Sequence, residues 1–527
     1  MKIMRFPLVS VCGLMVGALA LTGCGAGNGS AATVHKVGAT AGGPMRTGGT
    51  LHFGQSQGIT QLDPNTIASS SQTQLQTLLW DGLTTYAPDM SVRPDLATSW
   101  THSGDYRHWS FRLRPGVRFD NGKPFTATDA VKNIKRVLDP KTAAQAAVKI
   151  SMIDTVRAVD AATLAIDLKT PNPQLPNGLV DVKMTDVDHI ADINRTANGT
   201  GPYKLARFVP NQSVTVVRND RYWGPRPKFD RIEIQRYADA TAAQSAFLSG
   251  ELDVLTELAP DTASYLAVGK TLLGAPQPAG VAVWELDTKS KPFDNPKARL
   301  ALSYAADRAA MNQAAYAGKA VLNDTDQPVN PQSRYYASDL PHHAFDLAKA
   351  RKLFAEAGVK PGTTLTFWTT AGANLEWTTM GQILQGDLKK IGINLQIRSN
   401  EVATWAAKAY PKGKRYPGLI YPNFLSFPPP PADYSISWYS NEGTCECNWT
   451  APDSYEQAAA AVSRGSGQDR ARGFTNAQRV LNANAPIITL ANTSPLSVAQ
   501  TNVRGVWVQS EGTLHLEHAG FAAGGRS

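Results

Sequence analysis

The chain has 527 residues, 42% of them apolar and 18% charged, ordinary values for a soluble globular protein that exclude collagen-like, coiled-coil and largely disordered chains. Its net charge of +9, from 52 Lys and Arg against 43 Asp and Glu, is dispersed, and no Lys/Arg-rich block supplies a nucleic-acid footprint. The length suggests two to four domains at about 150 residues each, and only one apolar run, at the N-terminus, is long enough to need a membrane explanation, which excludes a polytopic membrane protein.

That run opens with the cations Lys2 and Arg5 and continues through an apolar stretch from Phe6 to Leu21. It is too short for a comfortable span and is followed at once by polar sequence, so residues 1–23 read as an export signal. Leu21-Thr22-Gly23-Cys24 resembles the lipobox of bacterial lipoproteins, in which the cysteine is acylated and becomes the new N-terminus. Acyl chains then replace a membrane helix, at about 0.8 kcal/mol per buried CH₂. The same stretch also fits an ordinary export signal with an incidental cysteine. Residues 24–47 are rich in Gly, Ala, Ser and Thr, cannot bury enough surface to offset their ordering entropy, and are expected to be a flexible tether.

Helix-period and strand-period segments then alternate, which predicts a mixed α/β protein. A helix is expected over 126–138, opened by the capping-box pair Thr126 and Asp129, with Ala130, Val131, Ile134, Val137 and Leu138 on one face and Asp139-Pro140 ending it. Strands are expected at 213–217, 231–237 and 281–287. Asn295 and Pro296 start a helix running on to Met311. Asp346 caps another that ends at Gly358. A further helix places Trp377, Met380, Ile383, Leu384, Leu388 and Ile391 on one face, closes at Gly392, and leads into an alternating strand at 393–397. Phe427 followed by Pro428 to Pro431 predicts a stiff loop. Of the four cysteines, Cys12 falls in the signal, and only Cys445 and Cys447 lie in the body. A disulfide between them, free thiols and a metal site all remain open; no nearby histidine completes a ligand set.

Enzyme signatures are missing. There is no Gly-x-Ser-x-Gly elbow and no His-Glu-x-x-His zinc helix. Gly269-Lys270-Thr271 has the end of a phosphate loop, but Ser264 stands where its first glycine belongs. His342 and His343 follow Pro341 and are expected at the surface; His515 and His518 are expected on a strand, solvated near the chain end. These absences do not exclude an enzyme but make one less expected; no catalytic residue and no cofactor can be assigned from motifs.

Several blocks resemble the extracellular solute-binding proteins of family 5, the oligopeptide-, dipeptide- and nickel-binding receptors of ABC importers. They are GGTLHFGQSQGITQLDP at 48–64, LLWDGLTTYAPDMSVRPDLATSW at 78–100, WSFRLRPGVRFDNGKPFTATDAV at 109–131, GTGPYKLARFVPNQSVTVVRNDRYWG at 199–224, KPFDNPKARLALSYAADRAAM at 291–311 and DLAKARKLFAEAG at 346–358. Each reads physically as scaffold: turns, caps and a polar, aromatic corner at Arg218, Asn219, Tyr222 and Trp223. The resemblance implies a two-lobed periplasmic-binding-protein-like fold of type II, with an extra subdomain and the ligand cleft between lobes. Lobe I would be 48–288 plus 492–527, including the subdomain at about 90–195, and lobe II 289–491. It implies a monomeric, non-enzymatic lipoprotein on the extracytoplasmic face of a bacterial membrane, anchored through Cys24, which captures a peptide or similar small solute and works with a permease and an ATPase. A non-peptide cargo (a sugar, an opine-like compound, a chelated metal) and a lipoprotein enzyme or sensor are the alternatives.

Ligand contacts implied by the resemblance fall on Trp405 and on the stretch 420–440. Phe427 stands at or near the position of the carboxylate that pairs with a peptide ammonium in relatives, Pro430 replaces the acid of an Asp-Pro turn, and Asp433 is the one acid in the loop. A buried ammonium without a carboxylate partner costs several kcal/mol. Either Asp433 takes over or the cargo has no free amine there, and Trp405, Phe424, Phe427 and Tyr434 are expected to line an aromatic cleft.

Overall fold

The computed structural model describes residues 39–66, 70–144, 146–276, 278–370, 375–401, 417–426, 433–441, 448–493 and 495–524. The export signal, Cys24, Trp405, Phe427, Cys445 and Cys447 lie outside the described residues. None of the described helices is long and apolar enough to cross a membrane.

Part of the segment expected as a tether over 24–47, from Thr40 to Arg46, is tied to the folded body. The Thr40 N–H donates to the Val506 carbonyl at 2.9 Å, and the Val506 N–H donates to Thr40 Oγ1 at 2.8 Å. Strand Met45–Arg46 pairs with Gly520–Ala522. Composition alone missed this because hydrogen bonds, not apolar side chains, hold the segment.

Most strands form three sheets. The first has seven strands in the order Thr271–Leu273, Leu496–Ala499, Val254–Leu258, Thr50–Gln55, Arg231–Arg236, Ser213–Arg218 and Tyr203–Val209. The second has six: Val321–Leu322, Ile487–Thr493, Gly280–Leu286, Leu419–Ser426, Thr364–Thr370 and Asn394–Asn400. The third is antiparallel, Ala97–His102, His108–Leu113, Thr163–Leu168 and Ile153–Asp160. Gly280–Leu286 lies on the lobe I side of the boundary expected after residue 288, yet it is hydrogen-bonded on both edges within the second sheet, to Leu419–Ser426 and Ile487–Thr493. The chain therefore changes sheet between Leu273 and Gly280 and again between Thr493 and Leu496.

Local signals explain most elements. Helix Ala127–Leu138 starts after Thr126, whose N–H and Oγ1 both donate to Asp129 Oδ2, at 2.9 and 2.7 Å. Its buried Ala130, Ile134 and Val137 join the core of the third sheet with Phe111 and Ile166. Helix Leu347–Glu356 is capped by Asp346, which accepts from the Lys349 N–H at 2.9 Å. Strand Thr364–Thr370, helix Leu375–Lys390 and strand Asn394–Asn400 form a parallel crossover unit, and the helix buries Trp377, Met380, Leu384 and Leu388 beside Trp284 and Phe367. The long helix expected from Asn295 is two helices, Pro296–Tyr304 and Arg308–Tyr316. Asp307 breaks it: its carboxylate accepts from the Ala310 N–H at 2.9 Å and caps a new start.

Buried charge ties distant segments together. Arg308 Nη2 donates to Asp326 Oδ1 at 2.9 Å, and His343 Nδ1 lies 2.6 Å from Asp326 Oδ2. Arg308 Nε also reaches the Thr489 carbonyl at 2.7 Å. All three ionisable side chains are buried, so His343 is a core residue and not a surface one. The Tyr222 and Trp223 corner encloses Asp81, which accepts from Trp223 Nε1 at 2.9 Å, Thr200 Oγ1 at 2.9 Å and Tyr222 Oη at 3.2 Å. Burial raises the Asp81 carboxyl to about 6. Nearby, burial raises Asp120 to about 7, against the pull of Lys204.

Asp326→Asn is expected to destabilise the fold by roughly 3 kcal/mol, because Arg308 is left buried without its counter-charge; a denaturant midpoint equal to wild type would contradict this. Folded Asp120 keeps its proton well above the ordinary value of 3.8. The folded state thus binds more protons than the unfolded state between about pH 4 and 7, and Asp120's contribution to stability, full at low pH, is lost as pH rises through that window. Asp120→Asn is expected to gain in melting temperature relative to wild type from pH 4 to pH 8, and a constant difference would count against it.

Candidate functional site

Strand direction locates the site. In the second sheet Gly280, which follows the first change of sheet, pairs with Ser426 and Thr493. Leu419–Ser426, Thr364–Thr370 and Asn394–Asn400 run parallel, so their carboxyl ends, Ser426, Thr370 and Asn400, lie toward that point. In the first sheet Leu258 pairs with Leu496 just after the second change of sheet. Val254–Leu258, Thr50–Gln55 and Arg231–Arg236 are parallel and end on the same side. Both sheets therefore turn the carboxyl edges of their parallel strands toward the two crossings, the edge at which open α/β sheets bind ligands.

The crossings are held by hydrogen bonds from both sides. The Ala279 N–H donates to the Ser510 carbonyl at 2.9 Å, Asn330 Nδ2 to the Pro278 carbonyl at 2.7 Å, and Asn492 Nδ2 to the Gly280 carbonyl at 3.4 Å. Gly512 has φ +97°, and a Cβ there would meet Pro495 Cδ at 3.0 Å, so only glycine lets the turn approach the crossing this closely.

Against the first sheet's edge lies a small pocket lined by Gln55, Ser71, Gln74, Glu257, Ser497 and Thr513, among others. The register between Val254–Leu258 and Leu496–Ala499 shifts between Leu255 and Leu258. Glu257 sits in that bulge at φ +60°, a left-handed conformation uncommon for a residue with a side chain. Its carboxylate accepts from the Ser56 N–H at 3.2 Å, Ser56 Oγ at 2.6 Å, the Gln57 N–H at 3.2 Å and Ser71 Oγ at 2.8 Å. It thereby joins the end of Thr50–Gln55 to the start of helix Ser70–Leu79. The Leu514 N–H donates to Gln74 Oε1 at 2.8 Å, and Gln74 Nε2 donates to the Leu514 carbonyl. Gln55 Nε2 donates to the Gln57 carbonyl at 2.9 Å. Gln55 Oε1 and Thr513 Oγ1 are buried without a hydrogen-bond partner.

His515 lies behind this wall on strand Leu514–His515, as expected, but it is buried: its ring stacks on Trp507 at 3.6 Å, Nδ1 lies 2.7 Å from Glu517 Oε1 and Nε2 lies 2.8 Å from Gln509 Oε1. His518 is exposed.

In the second sheet, Phe424 occupies strand Leu419–Ser426 opposite Ala282, near its carboxyl end. Asp433 and Tyr434 open the helix Asp433–Ser437. Trp405 and Phe427 fall in segments that follow the strand ends at Asn400 and Ser426 and lie outside the described residues. Sequence reading did not single out Gln55, Ser71, Glu257 or Thr513. The signal available was the polar run Gln55-Ser56-Gln57 directly after an alternating strand.

Two other features do not belong to this edge. An open groove of about 810 Å³ is bordered by Lys291, Asp294, Thr363, Thr364 and Gly418; Thr364 and Gly418 are at the amino ends of their strands, away from the crossings. Asp129, Asp186 and Asp188 come together closely enough to hold a cation, but the Lys123 ammonium lies 2.8 Å from an oxygen of each.

Comparison with known proteins gives these observations a family. The family model described as "Bacterial extracellular solute-binding proteins, family 5 Middle" matches residues 91–444. The glutathione-binding protein GsiB of Salmonella typhi is 28% identical over 478 residues, covering 86% of this chain and 91% of the relative. The ABC transporter substrate-binding protein CtaP of Listeria monocytogenes has a similar fold, with a TM-score of 0.80 at 20% identity, covering 91% of this chain and all of that one. The periplasmic binding protein DppA of Helicobacter pylori, solved in complex with the peptide STSA, has a TM-score of 0.72 at 21% identity over 91% of this chain and 99% of that one. These relatives are two-lobed substrate-binding proteins and not enzymes. The chain belongs to the bacterial extracellular solute-binding proteins of family 5.

Proposed function

We propose that this protein is the cargo-capturing subunit of an ABC importer for small peptides, tethered through an acylated Cys24 to the outer face of a bacterial membrane. The observation that carries the reading is the convergence of two sets of strand carboxyl ends on a pair of neighbouring crossings. In this reading lobe I runs to Leu273 and resumes at Leu496, with the third sheet as its subdomain, and lobe II runs from Gly280 to Thr493. The polar wall of Gln55, Glu257 and Thr513 forms one side of the cleft. Trp405, Phe424, Phe427, Asp433 and Tyr434 supply the other. A peptide cargo is favoured by the likeness to glutathione-binding relatives and by the fold shared with a peptide-bound receptor.

Capture works by population shift. Cargo touching both walls binds the closed form better than the open form. A preference of about 10⁴-fold, roughly 5.5 kcal/mol, moves the closed fraction from 1% to 99%. The closed form is then the one presented to the permease, and the ATPase supplies the energy.

Glutathione and short peptides are expected to raise the melting temperature. Cargo at a hundred times its Kd stabilises the folded state by about 2.7 kcal/mol, and a peptide library that leaves the transition unmoved would overturn the reading. Cys24→Ser is expected to move the protein from the membrane fraction to the soluble fraction of the envelope, whereas unchanged membrane association would remove the lipid anchor from the account.

A further inference from the structure

We propose that the first-lobe pocket at the crossing is an ammonium subsite, in which Gln55, Thr513 and Glu257 receive the free amine of the cargo. The assignment rests on the peptide-capture reading and names the lobe that recognises one end of the peptide.

Two buried oxygens without partners carry it, one of an amide and one of a hydroxyl. Gln55 is 2% exposed and Thr513 is 3% exposed. Both line the same pocket, and Gln55 Oε1 and Thr513 Oγ1 have no partner. A buried polar atom left without a hydrogen bond is disfavoured, so the pair is suited to a group that arrives with hydrogens to donate. Glu257 adds a fixed negative charge. The bulge and the left-handed backbone hold its carboxylate at the pocket, and Ser56, Gln57 and Ser71 fix its orientation. No lysine or arginine is among the described residues lining this pocket, so an incoming carboxylate meets the Glu257 charge with no cation to offset it. An ammonium offers three donors and no acceptor, which matches an amide oxygen, a hydroxyl and a carboxylate. The family-like position for a carboxylate in the second lobe holds Phe427; an ammonium received in the first lobe removes the need for one there.

The test compares each peptide with its N-acetylated form by calorimetry on the full chain, using glutathione and trialanine as probes. Wild type is expected to prefer the free amine by at least tenfold. Thr513→Val removes an acceptor that makes no hydrogen bond in the fold, and Glu257→Gln removes the charge while keeping the shape. Each is expected to cut the preference to less than threefold, with melting in the absence of peptide unchanged for Thr513→Val. If Glu257→Gln does not fold, Thr513→Val decides alone. A variant that folds and keeps the full preference overturns the assignment while leaving peptide capture intact, as does a wild type that binds both forms equally. Binding of neither probe in either form defeats the peptide reading and this subsite with it.

Discussion

The structure depends on two strand crossings that cannot be separated. Leu496–Ala499 enters the first sheet between Thr271–Leu273 and Val254–Leu258. Gly280–Leu286 and Ile487–Thr493 are neighbours inside the second. Each sheet thus closes its hydrogen-bond ladder with strands that reach it only by passing the crossing. Breaking either connection strands backbone donors and acceptors in a buried sheet, at the cost that unsatisfied buried polar groups carry. Rotation about the pair requires only that a few backbone dihedrals change, which is how hinged domains move. In the proposed capture, each sheet stays rigid and the two move relative to one another about this pair of crossings.

Polar interactions set the geometry around that hinge. Asn330 and Ser510 hold the chain at Pro278 and Ala279. Behind it, Arg308 donates to the Thr489 carbonyl and Asp326 accepts from the Thr489 N–H, on the strand that leads to the second crossing, and His343 lies against Asp326. Such buried networks add little net stability compared with an apolar core, yet breaking one partner is costly. They define which arrangement of segments is allowed. Glu257 does the same on the first-lobe side, where a left-handed bulge residue joins a strand end to a helix start. Backbone strain of this kind persists where the surroundings fix it, and it gathers at ligand clamps.

Elements whose signals are local could be read from the sequence. Thr126, Asn295 and Asp346 announced their helices because a cap and its partners lie within three residues of one another. The break at Asp307 was missed because a continuous apolar face and a new cap compete within the same residues, and the contacts of Arg308 with Asp326 and Thr489 lie far along the chain. His343 depends on Asp326, seventeen positions away, and its burial could not be inferred from its neighbours. The pocket was still less legible: Glu257 meets Ser56 across 201 positions and Ser71 across 186. The family blocks told where scaffold lies, and the fold was legible through them. The first-lobe pocket was not, since its lining comes from five separate stretches of chain.

The central claim is that cargo closes two lobes about the paired crossings. Small-angle X-ray scattering of the chain with and without saturating cargo tests it most directly. The account predicts a smaller radius of gyration and a shorter maximum dimension in the loaded protein. Superimposable curves, recorded while calorimetry shows the cargo fully bound, would contradict it.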